Sequence, residues 1–245
     1  MEPSLELFVL SWGVYPRRVL IYLAEKGLLG SPIIKITEVT YSNTGALTAA
    51  GKPTGTVPVL RLPDGTFIKQ SVAILQYFED ICDRPVQPWQ VELAKSAKKS
   101  MLGATAEEKA RARDMLSLAD EITCQFGFAC HKGTALFQPI ETTHPLTAKL
   151  ILEYCLKNLK LLEQYYKEDT RFNNGNGQVN IADCVMYSTL HFAKDLYNLD
   201  LLADPGLSSL RAFYEWFGRR DSVQVAADHF PTEIQKLASQ WLPLE

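Results

Sequence analysis

Three short segments of the chain combine residue types that can bind a small polar ligand. The first is Val57-Pro58, where a proline opens an apolar strand and removes one backbone donor from it. A cis peptide bond at this position would leave the backbone N–H and C=O of Val57 free to pair with an extended ligand. A trans proline at a strand start would explain the same dipeptide without any ligand.

The second segment is Gln70-Ser71, at the predicted start of a helix. Ser71 is predicted to be the N-cap, and its hydroxyl together with the first N–H groups of the helix would attract an anion. Gln70 adds an amide that can hydrogen-bond to an ammonium or a carboxylate group. Helix capping alone would also account for Ser71.

The third segment is Asn180-Ile181-Ala182-Asp183. Asn180 can cap a helix while the carboxylate of Asp183 reaches back to the backbone of Asn180. This is the pattern of a capping box in which Asp replaces the usual Glu. We assign this segment to folding rather than to ligand binding.

The composition narrows the class of protein that carries these segments. The 245 residues have a net charge of −3 with no basic block, so we expect neither nucleic acid nor an anionic membrane as a partner. The longest apolar run, residues 19–24, is far shorter than the roughly 20 residues of a membrane-spanning helix. The acidic N-terminus is unlike a secretory signal, and the five cysteines contain no C-x-x-C pair. We therefore expect a cytoplasmic protein with neither a disulfide framework nor a metal site.

The elements that must position these segments are of two kinds, and the first 84 residues alternate between strand and helix patterns. Pro16 suits the first turn of a helix, Gly27 suits its left-handed C-cap, and residues 63–65 (Pro-Asp-Gly) suit a hairpin turn. The predicted order is β-α-β, a loop and β-β-α, with strands at 5–10, 33–41, 57–62 and 66–68 and helices at 16–29 and from 71 onward.

The pattern changes after Arg84. Residues 85–105 are predicted to be a linker that carries a short helical segment. Beyond the linker only helical patterns are found, at 106–132, 145–168, 181–199 and 207–219, with a shorter helix near the C-terminus and a turn-rich loop at 172–177. We predict a small α/β domain at residues 1–84 and an all-helical domain at residues 106–245.

The chain resembles the cytosolic glutathione transferases over almost its whole length. The resemblance rests on YPRRVLIYLAEKGL at residues 15–28, GTVPVL at 55–60 and QSVAIL at 70–75, in that order. It implies a thioredoxin-like N-terminal domain followed by an all-helical domain. It also implies that Val57-Pro58 is the cis-proline loop that pairs with the cysteinyl backbone of glutathione, and that Gln70-Ser71 binds the γ-glutamyl end. The segment 180–183 matches the capping box of the family's helical domain.

The same resemblance suggests further ligand contacts. Lys52 precedes the proline loop and is expected to pair with the glycine carboxylate of glutathione, although a solvated surface lysine is an equal alternative. The electrophile is expected to contact apolar and aromatic side chains, which otherwise belong to the core or to a dimer contact; the candidates are Trp12, Tyr15, Phe126, Phe128 and His131.

The chain departs from the family at the residue that activates the glutathione thiol. Gly13 stands where the serine and cysteine classes carry that residue, and Val9 stands where the tyrosine classes carry it. Neither side chain can donate a hydrogen bond to a thiolate. Three explanations stay open: the side chain of Ser11 or Tyr15 activates the thiol, the backbone N–H groups of Val14 or Tyr15 do so, or the protein binds glutathione without catalysis.

The resemblance therefore implies an enzyme that uses glutathione as cosubstrate and adds its thiolate to a small apolar electrophile, in detoxification or secondary metabolism. The alternatives are a glutathione-dependent isomerase or lyase, and a non-catalytic glutathione-binding module with a regulatory or assembly role. A homodimer is expected from the family. Glutaredoxin-like chemistry of the omega type is excluded, because no cysteine precedes Cys82.

Overall fold

The computed structural model describes residues 5–169, 171 and 177–244. The chain divides into two compact units. The first unit comprises Met1–Lys109 and Val179–Cys184, and the second comprises Ala110–Gln178 and Val185–Glu245. The domain limits and the linker proposed from the sequence stay predictions.

The first unit is built on a four-stranded mixed sheet. Its elements are β1 (Leu5–Val9), α1 (Val14–Lys26), β2 (Ile34–Glu38), β5 (Val59–Arg61), β6 (Phe67–Ile68) and α2 (Ser71–Asp83). The strand order in the sheet is β2-β1-β5-β6, with β1 parallel to β2 and the other two pairings antiparallel. This arrangement confirms the predicted thioredoxin-like α/β class.

The ends of the predicted elements differ from those in the structure by one or two residues at several strands, and by more at α1 and β2. Helix α1 begins at Val14, two residues before Pro16, and ends at Lys26 rather than at residue 29; Gly27 is its C-cap and has the expected left-handed backbone with φ of 78°. The strand predicted at 33–41 stops at Glu38, and a small hairpin of β3 (Thr40–Tyr41) and β4 (Leu47–Thr48) follows it. Strands of two residues leave no periodic pattern in the sequence, which explains why the hairpin was missed.

An apolar cluster on the sheet positions the loop that contains the candidate proline. Phe8, Val39, Val57 and Val59 are buried in this cluster, and Leu47 of the β3–β4 hairpin packs against it. Because Val57 belongs to this cluster, the backbone that follows it is held at the sheet and enters β5 in a fixed position.

A buried network of polar groups ties α1 to α2 and to the segment that follows α3 (Pro88–Ser96). The Lys26 ammonium lies 2.8 Å from Glu79 Oε1, and both side chains are 2% exposed. The hydroxyls of Tyr22 and Ser100 donate to Glu79 at 2.7 and 2.8 Å, and the Met101 N–H donates at 3.1 Å. One carboxylate thus receives four donors in the interior of the first unit.

Glu6, the central buried carboxylate of the sheet, should make the protein sensitive to acid. Burial acts to raise the pKa of Glu6, but hydrogen bonds from Lys35 and Thr37 and the charge of Arg61 outweigh it, so the pKa lies below the ordinary 4.5. A lowered pKa in the folded state stabilises the fold above about pH 4.5, and the stabilisation is lost as the pH falls through the folded value.

We therefore expect Glu6→Gln to cost about 1 kcal/mol near neutral pH and to flatten the loss of stability in acid. Urea unfolding at a series of pH values measures both effects. The exposed Glu153, which lies in the middle of a helix and forms none of these bonds, provides a matched control, because Glu153→Gln should leave the dependence of stability on pH unchanged. If the free energy of unfolding of Glu6→Gln fell as steeply in acid as that of the parent protein, Glu6 would not be the source of the acid sensitivity.

The second unit is helical. It contains most of α4 and α6, and all of α5, α7 and α8, whose ranges are Ala106–Gly133 (α4), Pro145–Lys167 (α5), Ile181–His191 (α6), Ser208–Phe217 (α7) and Thr232–Ala238 (α8). This confirms a mostly helical C-terminal part. The helix predicted to reach residue 199 is α6 followed by a π-helical turn at Phe192–Leu196.

Of the predicted loop at 172–177, residues 172–176 lie outside the described residues. No helix in the described ranges is both long enough and apolar enough to cross a membrane.

Two helix starts in this part of the chain are held by carboxylates. At α6 the capping box is confirmed: the Asn180 N–H donates to Asp183 Oδ2 at 2.7 Å, and the Ala182 N–H donates to Asn180 Oδ1 at 2.9 Å. At α7 the buried Glu163 of α5 accepts from the N–H groups of Ser209 and Leu210 at 2.8 and 2.9 Å. The second arrangement joins two helices, so sequence-local capping rules do not reveal it.

Candidate functional site

The Val57–Pro58 peptide bond is cis. Val57 is 9% exposed and precedes β5, whose pairing with β1 extends from Val59 to Arg61. Among the residues that the structure describes, none forms a hydrogen bond with the backbone N–H or C=O of Val57. The backbone of Val57 therefore has a donor and an acceptor with which an extended peptide can pair.

Helix α2 follows β6 in the chain, and its first residue is Ser71. The prediction that Ser71 is the N-cap is wrong: Gln70 occupies that position, with an extended backbone and no capping hydrogen bond from its side chain. The Ser71 hydroxyl instead accepts hydrogen bonds from the Arg18 guanidinium of α1. A contact between two helices has taken the hydroxyl that local sequence rules assign to capping.

The N-terminal turn of α2 nevertheless presents backbone donors. The first hydrogen bond of the helix is donated by the Ile74 N–H to the Gln70 carbonyl. The N–H groups of Ser71, Val72 and Ala73 precede it and have no partner within the helix. Donors of this kind, at the positive end of a helix dipole, suit a carboxylate.

Lys52 lies in the loop that leads to Val57. Its ammonium donates to the carbonyls of Pro53 and Gly55 at 3.0 and 2.7 Å. Burial lowers the pKa of Lys52 from its ordinary value. An ammonium has three N–H donors, so two hold the loop and a third can serve an anion. The position fits the predicted pairing with a carboxylate, and that pairing stays a prediction.

The two positions that lack the expected activating side chain, Val9 and Gly13, have roles in the fold. Val9 is fully buried in β1. Gly13 is the N-cap of α1, with a φ of −71° and no side chain with which to cap it. Neither residue offers a side-chain donor, so any activation of a thiol must come from neighbouring groups.

Ser11 is the first such neighbour. It lies in the turn between β1 and α1, which is closed by the Gly13 N–H donating to the Leu10 carbonyl at 2.8 Å. The Ser11 N–H donates to Glu38 Oε1, also at 2.8 Å. No described residue forms a hydrogen bond with the Ser11 hydroxyl, which leaves it able to donate to a ligand.

Val14 and Tyr15 form the first turn of α1. The helix makes its first backbone hydrogen bond from the Arg17 N–H to the Gly13 carbonyl, so the N–H groups of Val14 and Tyr15 come before it. The Arg18 guanidinium lies over the Tyr15 ring, 4.7 Å from its centroid. The structure thus gathers the alternative activating groups at the start of one helix without distinguishing between them.

The aromatic residues predicted to contact the electrophile lie in different surroundings. Trp12 is half-buried in the turn before α1. Phe126 is 1% exposed and packs edge-on against Tyr197, whereas Phe128 is 63% exposed, so the two are not on one face of α4. His131 is half-exposed, stacks on Phe137 and hydrogen-bonds to Glu141. A contact with an electrophile stays a prediction for each candidate.

Three of the cysteines have thiols that burial makes hard to ionise. Burial raises the pKa of Cys82 to about 11 and that of Cys155 to about 12, and it also raises the pKa of Cys130 well above its ordinary value. Within the described part of the chain, no group of acidic, histidine or cysteine side chains has an arrangement that could hold a metal ion.

Two residues near these segments were missed at the level of sequence. Arg18 falls within the helix pattern of residues 15–28, and because arginine is rarely fully buried unless it is paired, the local sequence gives no signal that this side chain is buried. Glu38 ends a strand whose register with Val9 brings it to the Ser11 turn. That proximity depends on parallel pairing and has no local signature.

Comparison with known proteins identifies the first unit. A family model described as the glutathione S-transferase N-terminal domain matches residues 12–81, which contain α1, the Val57–Pro58 bond and most of α2. Glutathione S-transferase 2 of Saccharomyces cerevisiae is 33% identical to this chain over 96 residues. That match includes 39% of this chain and spans 41% of the length of the curated relative.

Solved structures extend the likeness to both units. A glutathione transferase family member from Pseudomonas fluorescens Pf-5 with bound glutathione aligns over 89% of this chain and 96% of its own, with a TM-score of 0.67 and 21% identity. A glutathione S-transferase from Methylobacillus flagellatus KT with glutathione bound gives the same coverage and TM-score at 20% identity. At such identities the likeness establishes the fold.

Proposed function

We propose that this chain, which belongs to the glutathione transferase superfamily, binds glutathione in its first unit and adds the glutathione thiolate to a small apolar electrophile. The observation that carries the proposal is the set of backbone and side-chain donors along one stretch of the first unit. Val57 offers a backbone N–H and C=O that no described residue binds, the start of α2 offers N–H groups, and Lys52 offers an ammonium. Glutathione is an extended peptide with a carboxylate at each end, so it matches these groups in kind.

The chemical step needs the bound thiol as thiolate. A free thiol has a pKa of about 8.5, and a hydrogen-bond donor or the positive end of a helix lowers that value. We propose Ser11 as the donor, because its hydroxyl is available at the end of β1. Tyr15 and the N–H groups at the start of α1 are the alternatives. Bound beside Trp12, the thiolate would attack an apolar carbon centre.

A titration with glutathione tests the proposal. The ultraviolet absorbance of the thiolate is followed between about pH 5 and 9, in the presence and absence of the protein. A bound thiol that ionises well below the free value supports an enzyme with an activating group near Gly13. No binding of glutathione would overturn the proposed function and leave only the fold.

A non-catalytic glutathione-binding module is the second candidate function. It is favoured by one observation: the two positions that carry the activating residue in the transferase classes are occupied by Val9 and Gly13, which have no side-chain donor. Tight binding of glutathione with an unshifted thiol pKa, and no conjugation of a chloronitroaromatic above the uncatalysed rate, would select this candidate. A glutathione-dependent isomerase or lyase would show the lowered thiol pKa without conjugation.

Lys52 should determine the affinity for the glycine end of glutathione. We expect Lys52→Gln to raise the Kd for glutathione roughly tenfold, because a charge-assisted hydrogen bond is lost. The Kd for γ-glutamylcysteine, which lacks the glycine, should be unchanged. Isothermal calorimetry measures both values.

The Kd for γ-glutamylcysteine shows whether Lys52→Gln removes a direct contact with the glycine carboxylate or displaces the loop that contains Lys52. Loss of the bonds to Pro53 and Gly55 would move the loop and weaken both ligands equally. The exposed Lys69 provides the control variant, Lys69→Gln. Equal weakening of glutathione and γ-glutamylcysteine binding in Lys52→Gln would contradict the pairing with the glycine carboxylate.

We also propose that the protein is a cytoplasmic homodimer that acts in detoxification or secondary metabolism. The support is the resemblance to the family. Light scattering tests the assembly, and a mass in solution equal to the 27.5 kDa of one chain would contradict it.

A further inference from the structure

The contact between Arg18 and Ser71 joins α1 to the first residue of α2. Arg18 Nε lies 2.9 Å and Nη2 lies 2.5 Å from Ser71 Oγ. Both residues are almost fully buried, at 2% and 3% exposed. The face of the guanidinium lies against the Tyr15 ring. The cation is therefore held at one place beside the start of α2.

This contact determines how the Ser71 hydroxyl can bind a ligand. A serine hydroxyl has one hydrogen to donate and two lone pairs with which to accept. Two N–H groups of Arg18 occupy the lone pairs, so the hydroxyl can only donate to a further group. The adjacent positive charge strengthens that donation, especially where water is excluded. An ammonium, which needs an acceptor, gains nothing from such a hydroxyl.

The backbone beside the Ser71 hydroxyl also favours a hydrogen-bond acceptor over an ammonium. The N–H groups of Ser71 and Val72 precede the first hydrogen bond of α2, and the helix dipole adds a positive potential there. The Ser71 hydroxyl and these two N–H groups are all donors. The α-carbon at the γ-glutamyl end of glutathione carries both a carboxylate and an ammonium, and these three donors favour the carboxylate, whereas the Gln70 amide can also accept from the ammonium.

We infer that Arg18 is a positioning residue that commits the Ser71 hydroxyl to donate to the α-carboxylate of glutathione. The inference rests on the proposed function, because it assumes that glutathione is the ligand. Arg18 acts through Ser71 and sets the orientation of the γ-glutamyl group. Without the guanidinium, the same serine would give a smaller difference in affinity between glutathione and an analogue that lacks the α-carboxylate.

The test compares glutathione with γ-aminobutyryl-cysteinylglycine, which keeps the ammonium and lacks the α-carboxylate. Calorimetry gives the Kd of each ligand, and the ratio of the two values measures recognition of the carboxylate. We expect a ratio of roughly tenfold or more for the parent protein, and a fall to a few-fold in Arg18→Lys, because lysine cannot fill both lone pairs from one fixed plane. The exposed Arg113 of α4 supplies the control Arg113→Lys, which should keep the full ratio.

Ser71 variants show whether Arg18 acts through the hydroxyl. Ser71→Ala should lower the ratio as Arg18→Lys does, and Ser71→Thr, which keeps a hydroxyl, should restore most of it. In the Ser71→Ala background, Arg18→Lys should change the ratio no further. An additional fall would mean that Arg18 contacts the carboxylate itself, and this would overturn the positioning role.

The outcomes separate the inference from the proposed function. If the parent protein binds no glutathione, the proposed function fails and the inference fails with it. If it binds glutathione and Arg18→Lys keeps the parent ratio, only the inference fails. Should Arg18→Lys not fold, the Ser71→Ala and Ser71→Thr pair decides, and a ratio unchanged by Ser71→Ala would overturn the inference.

Discussion

Replacing Ser11 by alanine is expected to lower kcat/KM for glutathione conjugation by roughly 10- to 100-fold, which is the usual effect of removing one donor to a developing or stabilised anion. The reason is the position of the hydroxyl, in the turn between β1 and α1 and without a hydrogen-bond partner among the described residues. The pKa of the bound thiol should rise toward that of free glutathione. Steady-state kinetics with a chloronitroaromatic and the thiolate titration measure the two effects.

Two further variants limit the interpretation of Ser11→Ala. Ser117 is exposed on α4, where its hydroxyl donates to the Arg113 carbonyl, so Ser117→Ala removes a serine hydroxyl that does not belong to the β1–α1 turn. Tyr15→Phe removes only a hydroxyl and keeps the ring beneath Arg18. Unchanged turnover in Ser11→Ala would reject Ser11. A loss confined to Tyr15→Phe would assign the activation to Tyr15, and no loss in either would favour the backbone N–H groups of α1.

The largest effect on stability is expected from Glu79→Leu. The substitution leaves the Lys26 ammonium buried without its counter-charge and removes the acceptor for Tyr22, Ser100 and the Met101 N–H. Breaking a buried ion pair in this way costs roughly 3–5 kcal/mol of the free energy of unfolding. For a chain of this length the melting temperature should fall by roughly 10 °C. Circular dichroism during heating measures the change.

Matched variants identify the source of the loss. The exposed pair of Lys95 and Glu92 has a similar separation, 2.7 Å, yet Glu92→Gln should change stability by less than about 0.5 kcal/mol. The double variant Lys26→Met with Glu79→Leu should recover part of the loss, because no buried charge remains. A double variant no more stable than Glu79→Leu would mean that lost hydrogen bonds, rather than the uncompensated ammonium, account for the effect.

The elements of the fold could be predicted where the relevant forces act between residues close in sequence. The apolar periodicity of α1 and α5 and the capping box at Asn180 and Asp183 are of this kind, and the structure confirms them. The left-handed Gly27 follows from the same local logic. Element order was therefore predictable, whereas the exact ends and the short β3–β4 hairpin were not.

The candidate site was harder to predict because its polar groups are shared between distant segments. Ser71 illustrates the difficulty: residue type and position favour capping, but Arg18, 53 positions earlier, takes the hydroxyl. Glu38 meets the Ser11 turn only through the parallel pairing of β1 with β2. Local rules identify which residues can donate or accept a hydrogen bond. Only the tertiary structure decides between competing partners.

The raised thiol pKa values of Cys82 and Cys155 have a consequence under oxidative stress. Exchange with oxidised glutathione proceeds through a thiolate, and a thiol with a pKa of about 11, such as that of Cys82, is ionised in roughly one molecule in 10,000 at neutral pH. Cys155, with a higher pKa still, is ionised less often. These side chains should therefore resist S-glutathionylation even when the ligand's own disulfide accumulates. When the ratio of reduced to oxidised glutathione changes, we expect the amount of bound reduced glutathione to respond first. Modification of these two thiols should follow far more slowly.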